Sequence, residues 1–181
     1  MVANRAYSTC LRGRLSSNVG LNQMPRTTHA NEYERKLLQN IATHGWQCTT
    51  VYAEAGDDET PPFSYTIGMF HSYGVPEFII VGLLQDAAHS IFDTIAKAAA
   101  AGTPIPLDVP CADLIDNYEC VFVKVPRAAY REYVLSVLWF QDGEDFPLYQ
   151  IVWPSKSGYY PWHPKANAGF KQLQPLLAYA E

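Results

Sequence analysis

FSYTIGMFHSYGVPEFIIVGL, residues 63–83, decides the fold class. Phe63 to Phe70 is rich in aromatic and β-branched residues and reads as a strand. The turn residues Ser72 to Pro76 interrupt it, and Glu77 to Leu84 resumes as a strand. The second run is almost continuously apolar, as a central strand covered on both faces would be. So short a spacing leaves no room for a βαβ crossover, which favours antiparallel or mixed pairing. Along the first run Tyr65, Ile67 and Met69 share one face, and Thr66 and Gly68 share the other. Thr66 therefore looks away from the main apolar side unless the sheet is covered twice.

Before this stretch, NEYERKLLQNIATHG (residues 31–45) predicts a helix. Asn31 is its cap, Glu34 completes a capping box, and Gly45 ends it. Trp46 to Ala53 reads as a strand, and the acidic EAGDDETPP links it onward. After the stretch, Asp86 is expected to cap a helix running to about Ala101. GTPIPLDVPCADLIDN (residues 102–117) reads as an irregular crossing loop, long enough to be functional or to hold a short helix. YECVFVKV, a helix through Tyr130–Leu138 and the strand PLYQIVWP follow. The aromatic SKSGYYPWHP and the tail QLQPLLAYAE close the chain, the tail as a short docking segment. The expected fold is α/β in the α+β sense. It has a mixed or largely antiparallel sheet of about five strands and at least three packing helices.

The chain has 181 residues, 48% of them hydrophobic and 17% charged, enough for one core without disulfide staples. Residues 1–31 carry Arg5, Arg12, Arg14 and Arg26 and no acid, and are expected to be a flexible basic segment. Removing those four charges from a net of -5 leaves -9 over the expected globular domain, residues 32–181. So acidic a domain offers no basic face for nucleic acid. No run reaches membrane-span length and no apolar signal core opens the chain, so the expected location is cytoplasmic. Cys10, Cys48, Cys111 and Cys120 form no CxxC pair, and Cys48 and Cys120 read as buried thiols.

Three segments taken together carry a resemblance: HGWQCTTVYAE at 44–54, YTIGMFHSYGVPEFIIVGL at 65–83 and LYQIVWPSKSGYYPWHP at 148–164. The set resembles the bacterial family called domain of unknown function 4262. Its members pair a His-Gly-Trp stretch with Tyr-Thr-x-Gly, Pro-Glu, Gln-x-x-Trp-Pro and Pro-Trp, here His44–Trp46, Tyr65–Gly68, Pro76–Glu77, Gln150–Pro154 and Pro161–Trp162. The resemblance implies no established activity. Many members have Trp-Pro-Asp where this chain has Trp153, Pro154 and Ser155, and His or Arg where Val75 stands.

Glu77 is the sharpest candidate, because a carboxylate opening an apolar strand is costly unless bonded. It reads either as a general base or ligand acceptor, or as a pin that holds the SYGVP turn by accepting backbone N–H bonds. His71 and His163 are candidate acids, and with Glu77 would make two histidines and one carboxylate, a metal-binding set. The alternative is ordinary loop histidines; His44 and His89 rank lower. Tyr65, Thr66, Gln150, Trp153, Ser155 and Trp162 could line an aromatic pocket or plug the core. GxSxG, GxGxxG and the P-loop pattern are absent, and no cofactor or metal is assigned. The expected function is binding of a small ligand or peptide in that pocket. A hydrolase using Glu77 with His71 or His163 and a protein-interaction domain are the alternatives. The partner is thus a small molecule or protein, without nucleic acid or membrane; self-association is left open.

Overall fold

The structure, a computed structural model, describes residues 25–53 and 60–179. Most of the basic leader, Cys10 and the acidic stretch 54–59 lie outside the described residues.

Helix α1 spans Glu32–His44. Asn31 Oδ1 accepts the Glu34 N–H at 2.9 Å, as the capping pattern predicts. Glu34 reaches back one residue further than a standard capping box, to the Ala30 N–H. Strand β1 (Gln47–Val51) follows, then β2 (Phe63–Ile67). The run read as a strand to Phe70 stops at Ile67, because Gly68 takes a left-handed conformation (φ 103°) and starts the short helix α2, Met69–Tyr73. Strand β3 is Glu77–Val81, and helix α3 is Gln85–Ala100. Leu84, not Asp86, holds the cap position of α3; Asp86 lies in the first turn, where an acid also suits the helix dipole.

The long loop contains a strand that the sequence reading missed, β4 at Cys111–Ile115, paired with β5 at Tyr118–Lys124. Only its first and fourth residues, Cys111 and Leu114, are buried, so it carries no clean period-2 signal. The helix expected over 130–138 is broken. A 3₁₀ turn (Arg127–Ala129) leads into α4 (Tyr130–Tyr133), Val134 leaves helical geometry (φ -127°, ψ 46°), and α5 is Leu135–Gln141. Strand β6 (Leu148–Val152), α6 (Ala168–Leu173) and a 3₁₀ turn (Leu177–Tyr179) complete the chain.

The result is the expected α+β fold, around one sheet of six strands in the order β1-β2-β3-β6-β5-β4. Every neighbouring pair is antiparallel except β3 with β6. Helices and turns cover both faces. Leu37 and Ile41 of α1 pack with Tyr130, Val137 and Phe140 over Tyr65, Ile79 and Leu148. Ile91, Phe92 and Ile95 of α3 pack over Phe78, Ile80, Cys120 and Ile151 on the other side. Alternate residues of β3 thus enter opposite cores, which explains its unbroken apolar run. The double covering also buries Thr66 completely. Cys120 is buried as expected, whereas Cys48 is only half-buried, on the edge-side strand β1. Arg26 ties the chain ahead of α1 to the end of α5: its N–H donates to Phe140 O and its guanidinium meets Asp142 at 2.6 Å. Among the described residues no helix is long and apolar enough to cross a membrane.

Candidate functional site

Glu77 enters the fold where β2 and β3 part company. Their ladder ends at Tyr65↔Ile79, and the next positions are joined by side chains. Thr66 Oγ1 accepts the Phe78 N–H at 2.9 Å and donates to Glu77 Oε2 at 2.6 Å. Glu77 Oε1 accepts the Gly68 N–H at 2.8 Å and the Phe70 N–H at 3.1 Å. Glu77 therefore caps α2 from the neighbouring strand, supplying the acceptor that Gly68 cannot. Burial pushes its carboxyl above the ordinary value, and the Thr66 hydroxyl and the α2 N–H groups pull in the other direction.

The two histidines considered with Glu77 lie elsewhere. His71 is exposed on α2, its ring against Phe140 at 5.7 Å. His163 stacks on Tyr159 at 4.4 Å, and its Nδ1 accepts the Lys165 N–H. Among the described residues no three His, Cys, Asp or Glu side chains are grouped to hold a metal ion.

The aromatic candidates are also spread through the fold. Gln150 donates to Pro175 O at 2.8 Å and accepts the Leu177 N–H at 2.9 Å. Gln174 does the same for Trp153, accepting its N–H and donating to its carbonyl. These two amides clasp the tail to β6, and Trp153 Nε1 bonds Val81 O at 3.2 Å. Tyr65 is buried in the α1 core, and burial raises its phenol above the usual value. Ser155 closes its own loop by accepting the Tyr159 N–H. Trp162 is exposed and stacks on Tyr160 at 4.9 Å. Thr66 and Glu77 are thus brought into direct contact, while Trp162 stands on the surface.

An open cleft lies instead between the end of α1, the start of β1 and α3. It has a volume of about 530 Å³ and is lined by Asn40, His44, Trp46, Gln47, Cys48, His89 and Asp93. Trp46 is its aromatic wall, with His89 at 5.4 Å and Phe92 edge-on at 6.4 Å. Asn40 donates to Gln47 Oε1 at 2.9 Å, so two amides sit side by side at the rim. Asp93 pairs with Lys97 at 2.7 Å. Tyr73 fixes the far end of α1 by donating to His44 O at 3.0 Å. Gly68 meets the same turn so closely that an added Cβ would stand 2.9 Å from Gly45 O. Burial raises the Cys48 thiol to about 11, so at neutral pH it is held mainly as the thiol.

The profile of the family described as Domain of unknown function (DUF4262) matches residues 40–167. The chain belongs to the DUF4262 family. No curated protein and no solved structure matches it. The matched DUF4262 region includes every residue lining the cleft, and Asn40 is its first residue. In the sequence alone His44 and His89 rank low as candidates, and nothing singles out Asn40 or Asp93. The only signal that could have joined them was helical spacing: Asn40 and His44 lie one turn apart on α1, and His89 and Asp93 one turn apart on α3.

Proposed function

We propose that this DUF4262 domain binds a small polar ligand in the cleft between α1, β1 and α3. Trp46 is the apolar wall, and His44, His89, Asp93 and the Asn40–Gln47 amides make the directed contacts. The observation that carries the reading is convergence: α1, β1, the turn between them and α3 bring an aromatic ring, two imidazoles, two amides and a carboxylate to one concavity. Glu77, Thr66, Gln150 and Trp153 spend their polar atoms inside the fold, which supports a framework role for them beside the cleft. Binding rather than covalent chemistry suits the cleft, because its one thiol is held protonated.

The test is ligand-observed NMR with a mixture of nucleosides, amino acids and small sugars, on the parent chain and on Asn40→Ala and His89→Ala. Both positions are exposed, so neither change should move the unfolding midpoint. Compounds that bind the parent and weaken about tenfold or more in both variants support the cleft, a loss of about 1.4 kcal/mol. Binding that survives both substitutions places the ligand elsewhere and overturns the proposal.

A further inference from the structure

The edge of the sheet holds a second feature, independent of the Trp46 cleft. Cys111 of β4 and Cys120 of β5 are direct partners in an antiparallel ladder. Opposed residues in such a ladder project to the same face, and both cysteines pack in the core beneath α3. Their Cα atoms are then about 4.5 or 5.5 Å apart, depending on the kind of pair. Both values lie within the range of about 4.4–6.8 Å that a disulfide spans. Cys111 is 7% exposed and Cys120 is fully buried. Cys111 also lines an open cleft of about 390 Å³ shared with Thr94, Ala98, Thr103, Pro104 and Pro110. A small oxidant in this cleft therefore meets Cys111 and not Cys120. Among the described residues β4 is the outermost strand and pairs with β5 alone, and its ladder is irregular between Cys111 and Ile115. Such an edge can adjust to a new bond at low cost.

We propose that Cys111 and Cys120 form a peroxide-driven redox pair, with Cys111 the peroxidatic sulfur and Cys120 the resolving one. The Cys111 sulfur attacks one peroxide oxygen. The O–O bond breaks, the departing oxygen leaves as water with the thiol proton, and Cys111 becomes a sulfenic acid. The Cys120 sulfur attacks the sulfenic sulfur. The S–S bond forms, the S–O bond breaks, and a second water carries off the Cys120 proton. Two thiols have lost two electrons, and one peroxide has become two waters. The bond staples the edge strand and fixes one wall of the adjoining cleft. Burial and the neighbouring Cys111 raise the Cys120 thiol to about 12, so closure should quicken as pH rises.

The full chain is treated with hydrogen peroxide at two pH values, quenched with iodoacetamide, and read by intact mass and peptide mapping. The expected result is two fewer alkylated thiols, a chain mass about 2 Da lower once the added carbamidomethyl groups are subtracted, and a linked pair of peptides carrying Cys111 and Cys120. The link should form faster at the higher pH, raise the thermal midpoint, and disappear with dithiothreitol. Cys111→Ala and Cys120→Ala are the controls and should abolish it. Cys111 driven to sulfinic acid without a link, or links only to Cys10 or Cys48, overturns the proposal. Because the readout is mass, failure here leaves the ligand test untouched.

Discussion

Thr66 and Glu77 are joined by a 2.6 Å hydrogen bond that is fully buried, at the point where two antiparallel strands separate. Thr66 takes over a ladder bond from Phe78, and Glu77 takes over the capping of α2. One hydroxyl and one carboxyl thus let the chain turn from strand to helix without orphaned backbone groups.

Glu77→Ala should be strongly destabilising. It leaves the Gly68 and Phe70 N–H groups and the Thr66 hydroxyl buried without their acceptor, at a cost of about 3 kcal/mol or more. Glu77→Gln keeps an acceptor for the α2 N–H groups and should cost clearly less. Urea unfolding of the three proteins checks the order, and equal losses for the two variants would refute the capping role.

The same residue sets a pH dependence. Its folded pKa is raised by burial, so the folded state holds its proton more tightly than the unfolded chain does. The associated stability is fully present below the ordinary carboxylate range and is lost as pH rises through the folded value. Glu77→Gln cannot titrate, so its stability relative to the parent should climb with pH across that window. Parallel stability curves for the two proteins would contradict this.

Thr66→Val is nearly isosteric but removes both bonds. It should cost about 2 kcal/mol, because the Phe78 N–H is left buried and unpaired. Thr66→Ser retains the hydroxyl and should lose less. A double-mutant cycle of Thr66→Val with Glu77→Gln should show a coupling of about 0.5–3 kcal/mol. Additive effects would mean that the short contact carries no energy.

Gln150→Leu should release the tail. The Leu177 N–H and Pro175 carbonyl lose their partners, so amides after residue 173 should exchange faster while those of β3 stay protected. Hydrogen exchange by mass spectrometry separates the two regions. Uniform loss of protection would instead give Gln150 a global role.

Cys48 should alkylate slowly near neutral pH. Its thiol is raised to about 11, so the rate with iodoacetamide should grow about tenfold per pH unit below that value. A rate already saturated near pH 8 would mark an activated thiolate and bring covalent chemistry back into the Trp46 cleft.

Local rules made much of this protein legible from its chain. Asn31 and Gly45 bound α1 by capping chemistry, and the apolar run after Glu77 marked a central strand. The costly carboxylate at Glu77 was visible because nothing in its neighbourhood could compensate it. Its partners were not. The alternatives for Glu77 separate only through Thr66 and the N–H groups of α2, which meet it where β2 leaves β3. β4 went unseen because a bulged edge strand buries too few residues to show a period. The Trp46 cleft was invisible for a related reason. Asn40 and His44 belong to one helix and His89 and Asp93 to another, and the sequence holds no term for the distance between them. Periodicity and caps act within a turn or two of chain and so can be read in order. The cleft and the Cys111–Cys120 pair arise from packing and pairing, which only the tertiary structure decides.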